Sequence, residues 1–571
     1  MKLIELNASN SGFKTLKFNQ TGVSLILGQK SDADGGGGSN GSGKTLALKL
    51  IHLCLGSNQA PSPVKECLPE WEFELIFSIN GKKHDVIRSG DGKKIALDGK
   101  KITLSKYRDW LNDQGVFRMA PDVTAITFRS LISRFARREK EDWLSPIKTS
   151  NETEAMATLK SLYLLGVEPL LMLRKINNRK DIQEIDKARN LWVKDPILKN
   201  IVYTGVKPST QINHLQKEIE RLEKDLANFE VAEDYRKLEK VANKKTEDIR
   251  QIDKQLVQLT YEKININSSL QVKPDISHKE LLELYAGLEQ FFKPEALAHL
   301  SAVEQFHKDM ISNRRRRLEA DYVKIEMKIQ EQNAEREKLV GERDSILKNL
   351  HGKKALDEYA AIANLLSSFK EQYASLTAFA EVDKELERKK LELKQNMTAD
   401  HALAAAYKET NPLDSYNRIY ASLTEQMYPS VASGLVLENN FGDDNQLRFD
   451  FRVELAGSES QGLNATRIVC FDWLLFMYGQ NHKLNFLWHD STLFSDNDPA
   501  PRARWFAYVQ KAIAGTGKQY IASLTNENFS TMENYLSEKD FATLVAAEIL
   551  NLGNAHAEEK LLGVDIERGS R

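Results

Sequence analysis

Hydrophobic positions along this chain change their period twice. Up to about residue 130 they occur in short runs. Residues 3–6 and 23–27 read as strands, and 71–79 and 84–88 read as a pair joined by Asn80 and Gly81. That dipeptide suits the two-residue turn of a hairpin. From 155 to 200 the pattern becomes that of an amphipathic helix. Then Ile212, Leu215, Ile219, Leu222, Leu226 and Phe229 recur at alternating spacings of three and four, and the pattern runs on through Leu238, Val241, Ile252 and Leu259. This is the seam of a coiled coil. Pro274 and Pro294 interrupt helix, after which a second seam runs through Leu318, Tyr322, Ile325, Ile329, Gln332, Leu339, Ile346 and Leu350. Two runs of similar length with a short break predict an antiparallel coiled-coil arm over 209–400, its tip near 268–300. A helix of ~50 residues reaches roughly 75 Å. A helical bundle domain is the alternative.

After about residue 400 strand and turn signals return. Residues 434–437 and 447–451 read as strands around the turn Gly442, Asp443 and Asp444. A helix over 463–478 precedes an apolar strand, 484–488, that ends at His489, Asp490 and Ser491. A helix over 501–514 and a strand over 519–524 follow. Alternating strands and helices argue for α/β packing. The expected fold is an α/β head assembled from N- and C-terminal halves, 1–208 and 401–571, with the coiled-coil arm inserted between them.

The sharpest motif is Gly38, Ser39, Asn40, Gly41, Ser42, Gly43, Lys44, Thr45. It fits the phosphate-binding loop G-x-x-x-x-G-K-[ST]. Its glycines let backbone N–H groups curl around phosphates. Lys44 places a charge on the β- and γ-phosphates, and the Thr45 hydroxyl suits Mg²⁺. The apolar residues after it predict a helix whose N-terminus faces the anion. A second acid is needed for the metal at the end of a buried strand, and Asp490 stands there. The cofactors expected are therefore ATP and Mg²⁺.

Composition narrows the rest. The 571 residues suffice for two or three structural units. With 80 basic against 81 acidic residues the net charge is −1, so any attraction to nucleic acid must be local. No apolar run approaches the ~18 residues of a membrane span, and the first residues lack a signal peptide's pattern. Cys54, Cys67 and Cys470 form no metal-spaced set. They read as buried small residues in a reducing cytoplasm.

A phosphate loop and its acid lying on either side of a coiled coil is the organisation of SMC and RecN proteins, and the chain resembles that family of ABC-type ATPases. Residues 38–45 resemble its phosphate loop. Gly457, Ser458, Glu459, Ser460, Gln461, Gly462, Leu463 and Asn464, before an apolar helix, resemble a degenerate signature motif. Asp490 matches the metal-binding acid. The resemblance implies an ATPase that forms a homodimer through its heads, each Ser460 and Gly462 reaching the γ-phosphate bound to the other copy. Phe306 with His307, the ending His489, Asp490, Ser491 and the closing residues 561–564 resemble a short-armed bacterial subfamily of multi-component conflict systems. That implies defence against phage or plasmids, with DNA and further protein subunits, an effector among them, as partners. A RecN-like repair factor is a further reading.

Three positions depart from the family. Its catalytic glutamate directly follows the metal-binding acid, where this chain has Ser491. A serine without an activating partner is no general base. Its switch histidine falls near 523–528, where Asn526 can only hydrogen-bond. Its glutamine loop has no counterpart around 126–130. Hydrolysis then falls to His489, which on a strand points away from Asp490, to Glu527, or to another group, and is expected to be slow. A nucleotide-gated scaffold is the competing reading. Arg129, Arg134, Arg137 and Arg138, spaced along one helix face, are the candidate DNA contacts.

Overall fold

The computed structural model describes residues 1–29, 42–119, 123, 125–193, 207–227, 233–271, 294–348 and 354–564. Gly38, Ser39, Asn40 and Gly41, most of the expected tip, and the side chains of Phe306 and His307 lie outside the described residues. The chain divides into two compact units, one of Met1–Arg179 with Met397–Arg571, the other of Lys180–Ser277 with Phe292–Asn396.

In chain order the first unit begins with strands β1 (Lys2–Ala8), β2 (Leu16–Lys17) and β3 (Gly22–Gly28), then helix α1 (Lys44–Cys54) and α2 (Ser62–Cys67). Strands β4 (Glu72–Ile79) and β5 (Lys82–Ser89) form the expected hairpin, and Asn80 and Gly81 both have positive φ, 51° and 81°. Then come β6 (Ile95–Leu97), β7 (Lys100–Lys101), α3 (Leu104–Asp113), α4 (Phe128–Ile132), α5 (Glu154–Leu164) and α6 (Leu170–Val193).

The second unit carries part of α6 and helices α7 (Pro208–Ala227), α8 (Glu233–Gln271), α9 (Pro294–Lys348) and α10 (Lys354–Glu409). Helices α8 and α9 pair antiparallel, as the seams predict, with ion pairs Lys263–Glu326 at 2.8 Å and Arg336–Asp253 at 2.7 Å. Other contacts depart from a single hairpin. Arg343 of α9 bonds Glu371 of α10 at 3.0 Å, so these two helices are also neighbours. Ile219 and Leu222 of α7 pack on Leu366 of α10. Tyr261 and Ile264, near the end of α8, pack with Ile185 of α6 and with Phe379 and Leu386 of α10. This unit is a folded-back bundle, the alternative to a two-helix arm. The end of α8, which leads into the expected tip, returns to α6. Burial shows the same difference. Leu238 and Val241 are 43% and 46% exposed, whereas Ala242, Thr246, Ile249 and Ile252 are buried. A helix with several neighbours buries a wider stripe than a two-helix seam does.

The first unit resumes at the end of α10 and continues through α11 (Asp414–Met427), β8 (Ser433–Asn439), β9 (Phe449–Leu455), α12 (Gln461–Tyr478), β10 (Phe486–His489), α13 (Thr492–Ser495), α14 (Pro499–Ile513), β11 (Gln519–Thr525), α15 (Asn526–Ser530), α16 (Glu538–Ala546) and β12 (Glu548–Leu552). Its two main sheets divide the labour. An antiparallel sheet, order β2-β1-β4-β5-β6-β7, is built wholly from residues 2–101. A parallel sheet, order β10-β11-β3-β12, takes one strand from the N-terminal part and the others from the far end of the chain. Buried Gln519 fastens these parts. Its side-chain amide accepts from Leu3 N at 2.9 Å and donates to Leu3 O and Asn19 O, each at 2.7 Å. Strands β3, β10 and β11 are buried along nearly their whole length, as strands covered on both faces are, whereas β12 at the sheet edge is partly exposed. Cys54 and Cys470 are buried as expected, but Cys67 is exposed. Burial pushes the Cys54 thiol up to about 12, which keeps it inert. No helix among the described residues is long and apolar enough to cross a membrane.

Two tests follow from these contacts. With Cys67 replaced by Ser, Ile264→Cys and Leu386→Cys should cross-link through a ~10 Å bifunctional thiol reagent. A two-helix hairpin would hold these positions about 90 Å apart. The second test uses His482. Its Nε2 donates to Leu475 O at 2.7 Å while Nδ1 accepts from Leu484 N at 3.2 Å, and burial pushes its pKa down to about 4. Protonating Nδ1 breaks that second bond. The unfolded chain takes the proton first, so stability is full above about pH 6.5 and is lost as pH falls toward 4. In urea titrations across this window His482→Gln should show a shallower loss than the parent chain.

Candidate functional site

Gly43 precedes the first residue of helix α1, and its φ of 105° puts it in the left-handed region. A side chain there would overlap Leu561, so both backbone and space demand glycine. The segment around Leu561 braces this turn. Its N–H donates to Ser42 O at 3.0 Å, and its carbonyl accepts from Lys14 N at 2.8 Å. The first N–H groups of a helix have no intrahelical acceptor, and the helix dipole adds partial positive charge there.

Lys44 is 5% exposed, and its ammonium approaches Gly28, the last residue of β3, so closely that a Cβ there would collide with it. Its Nζ donates to Ser42 Oγ at 3.3 Å, a long bond for a group with three donors. Burial lowers the Lys44 pKa, and the charge of Asp490 opposes that shift. A buried ammonium held by one long bond among the described residues calls for an anion.

Thr45 Oγ1 donates to Asp490 Oδ2 at 3.0 Å, across 445 residues of sequence. The other carboxylate oxygen, Oδ1, accepts from Thr492 Oγ1 at 2.8 Å, Thr492 N at 3.1 Å and Ser491 Oγ at 3.4 Å. Asp490 is thus held by both edges at the end of β10. Strand β11 lies between β10 and β3, and Asn526 follows its last residue. Asn526 Oδ1 is buried with no hydrogen-bond partner among the described residues, and Nδ2 reaches Asn551 of β12 at 3.4 Å. Ser42, Lys44, Thr45, Asp490 and Asn526 therefore share the carboxyl edge of one parallel sheet, where open α/β sheets place ligands. A buried cation, an unpaired amide oxygen, and a hydroxyl–carboxylate pair fit a phosphate with a divalent cation.

His489 does not join this group. It is fully buried on the opposite side of β10, with Nδ1 2.9 Å from the Tyr520 hydroxyl and Nε2 3.6 Å from Asp472. Burial lowers its pKa, against the pull of Asp472. Its expected catalytic place is corrected by the alternation of side chains along a strand. Ser460 is exposed at the N-cap of α12, accepting from Leu463 N at 3.4 Å. Gly462 packs against the carbonyl of Asp496, which a Cβ would meet at 2.6 Å.

The arginines are placed differently from the expected DNA-binding face. Arg134 and Arg137 are fully buried, paired with Glu152 at 2.9 Å and Asp472 at 2.6 Å. A guanidinium without exposure cannot reach DNA phosphates. Only 128–132 is helical there, so the four residues never share a face. Arg129 and Arg138 instead meet the C-terminal end of α1. Arg129 donates to Leu55 O at 3.3 Å and Arg138 to Ser57 Oγ at 3.1 Å. Arg108 donates to Gly56 O at 2.8 Å and Arg88 to Ser57 O at 3.4 Å. These cations sit at the negative end of the helix that carries Lys44 at its positive end. Sequence gave no sign of Arg88 or Arg108 here, because long-range folding creates the contacts. Thr492 was missed as well, although a hydroxyl two residues past a strand-ending acid is a local signal.

The description "Uncharacterised protein conserved in bacteria (DUF2326)" matches residues 421–566. No curated protein matches the chain. Among solved structures it is similar to an Smc head domain with a coiled coil and joint from Pyrococcus yayanosii, at 13% identity and a TM-score of 0.36, covering 98% of this chain and 96% of that one. An Smc head with an extended coiled coil, bound to the C-terminal domain of ScpA, from Pyrococcus furiosus is also similar, at 13% identity and 0.35, covering 94% and 91%.

Gly43→Ala should lower stability by about 1–3 kcal/mol, from a strained φ and the collision with Leu561. Adding Leu561→Ala should recover part of that loss in a double-mutant cycle of thermal unfolding.

Proposed function

We propose that this chain is an ATP-binding head subunit of the SMC/RecN kind, and that the Thr45–Asp490 bond of 3.0 Å is the observation that carries the reading. Elements 445 residues apart meet as the hydroxyl and carboxylate that a nucleotide-bound cation needs. When bound, MgATP supplies a divalent cation for Thr45 and Asp490 and a γ-phosphate able to bridge two heads. Lys44 binds and orients the β- and γ-phosphates, with the α1 amides beside it. Asn526 offers its unpaired oxygen to a water at the same edge. Ser460, exposed at the N-terminus of an 18-residue helix, is suited to meet an anion held by a second copy.

Hydrolysis is slow in this reading. The residue after Asp490 is Ser491, whose hydroxyl donates to that carboxylate, and His489 is sequestered behind the strand. Glu527, exposed in the first turn of α15, is the carboxylate following β11. A nucleotide-gated scaffold is therefore the second reading, favoured by the burial of His489. A DNA-sensing role in bacterial defence with a partner effector extends either reading by resemblance, and it must use surfaces other than Arg134 and Arg137.

Lys44→Ala should weaken MgATP binding by about a hundredfold or more, as loss of a buried charge contact of roughly 3 kcal/mol implies. Fluorescent-nucleotide titration of the full chain checks this, and unchanged affinity rejects the site. Robust steady-state turnover that Asp490→Asn abolishes would reject the scaffold.

A further inference from the structure

A buried ion-pair network lies behind the nucleotide edge. All the guanidinium donors of Arg137 are engaged. Nε and Nη2 grip the Asp472 carboxylate at 2.6 and 2.7 Å. Nη1 donates to Asp142 O and Ser145 O at 2.6 and 2.8 Å, and Nη2 also donates to Pro146 O at 2.6 Å. Burial by itself would lower the Arg137 pKa, but the charge and hydrogen bonds of Asp472 outweigh it and raise it. Behind the carboxylate, His489 Nε2 lies 3.6 Å from Asp472 with no hydrogen bond among the described residues, and its Nδ1 meets the Tyr520 hydroxyl, whose oxygen accepts from Trp505 Nε1 at 2.9 Å. Tyr520 O–H then donates to His489 Nδ1, leaving the Nε2 proton directed at Asp472.

The network joins three elements of the candidate site. Asp472 lies on α12, the helix that begins beside Ser460 and Gly462. His489 immediately precedes Asp490 on β10. Arg137 follows residues that run alongside β10, since Ala136 bridges Trp488 and Trp488 N donates to Phe135 O at 2.8 Å. The same segment also holds α1. His52 Nε2 donates to Ala136 O at 2.6 Å, and Lys49 pairs with Glu139 at 3.0 Å. The loop whose carbonyls Arg137 binds also braces the first turn of α12, where Asn464 Nδ2 donates to Trp143 O at 3.4 Å. Burying three ionisable side chains costs free energy that an apolar cluster would not, which leaves registry between the joined elements as the gain.

We propose that Arg137, Asp472 and His489 are positioning residues that set the Ser460–Gly462 turn relative to Asp490, so that nucleotide held by Lys44 is read out as placement of that turn for a second copy. This rests on the ATP-head reading. It separates two properties that a merely structural pair would not: nucleotide affinity of one chain, and nucleotide-driven association of two.

The test uses Asp472→Asn, His489→Leu and His489→Gln in the full chain. MgATP affinity is measured by fluorescent-nucleotide titration, and self-association with a non-hydrolysable ATP analogue by sedimentation velocity. Asp472→Asn and His489→Leu should keep MgATP affinity within about threefold while weakening ATP-driven association about tenfold or more. His489→Gln, able to accept from Tyr520 and donate toward Asp472, should restore association. If Asp472→Asn does not fold, the His489 pair decides alone. Association equal to the parent chain's in the folded variants overturns the relay, as does loss of affinity and association in equal proportion. A parent chain that binds MgATP without associating overturns head pairing itself, and the relay with it.

Discussion

Everything in the first unit depends on one strand placed far from its sequence neighbours. Strand β3, residues 22–28, lies between β11 and β12, and every residue from Gly22 to Gly28 pairs with one of β11 from Gln519 to Thr525. Parallel neighbours cannot be joined by a tight turn, and here the connection is most of the chain. Without the strands from the far end, β3 would expose Leu25, Ile26 and Leu27, which are now buried. At ~25 cal/mol per Å² of apolar surface, hiding such side chains yields about 1.5–3 kcal/mol each. The first unit is therefore one cooperative body made from two ends, and Lys44 and Asp490 come together only in that body.

The same constraint explains the polar groups. A sheet covered on both faces leaves water only at its edges, so ionisable residues either reach the carboxyl edge or are neutralised inside. Lys44, Asp490 and Asn526 do the first. Arg137, Asp472 and His489 do the second, and the engagement of every Arg137 donor by Asp472 and backbone carbonyls is what makes that ion pair's burial tolerable. Helix α1 connects the two groups. Its positive end faces the edge, while four arginines gather at its negative end. Lys44 and the arginine cluster are thus opposite ends of one electrostatic object.

The second unit obeys a different rule. Its helices carry apolar stripes that need partners, and several arrangements satisfy them. Burial selects Ala242, Thr246, Ile249 and Ile252 over Leu238 and Val241. Packing of Ile264 against Ile185 and Leu386 shows that the stripes find each other by folding back.

The sequence by itself determined whatever a local pattern can encode. Strand and helix periods, the Asn80–Gly81 turn and the apolar strand ending beside Asp490 are properties of neighbouring residues, and each appears where its pattern lies. Tertiary structure decided which distant groups meet. It pointed His489 away from Asp490 and turned Arg134 and Arg137 from a supposed outer face into buried pairs. It also brought Leu561 onto Gly43 and folded one predicted arm into a bundle. Those outcomes depend on which surfaces are left uncovered once the strands have paired, and no short window of sequence contains that information.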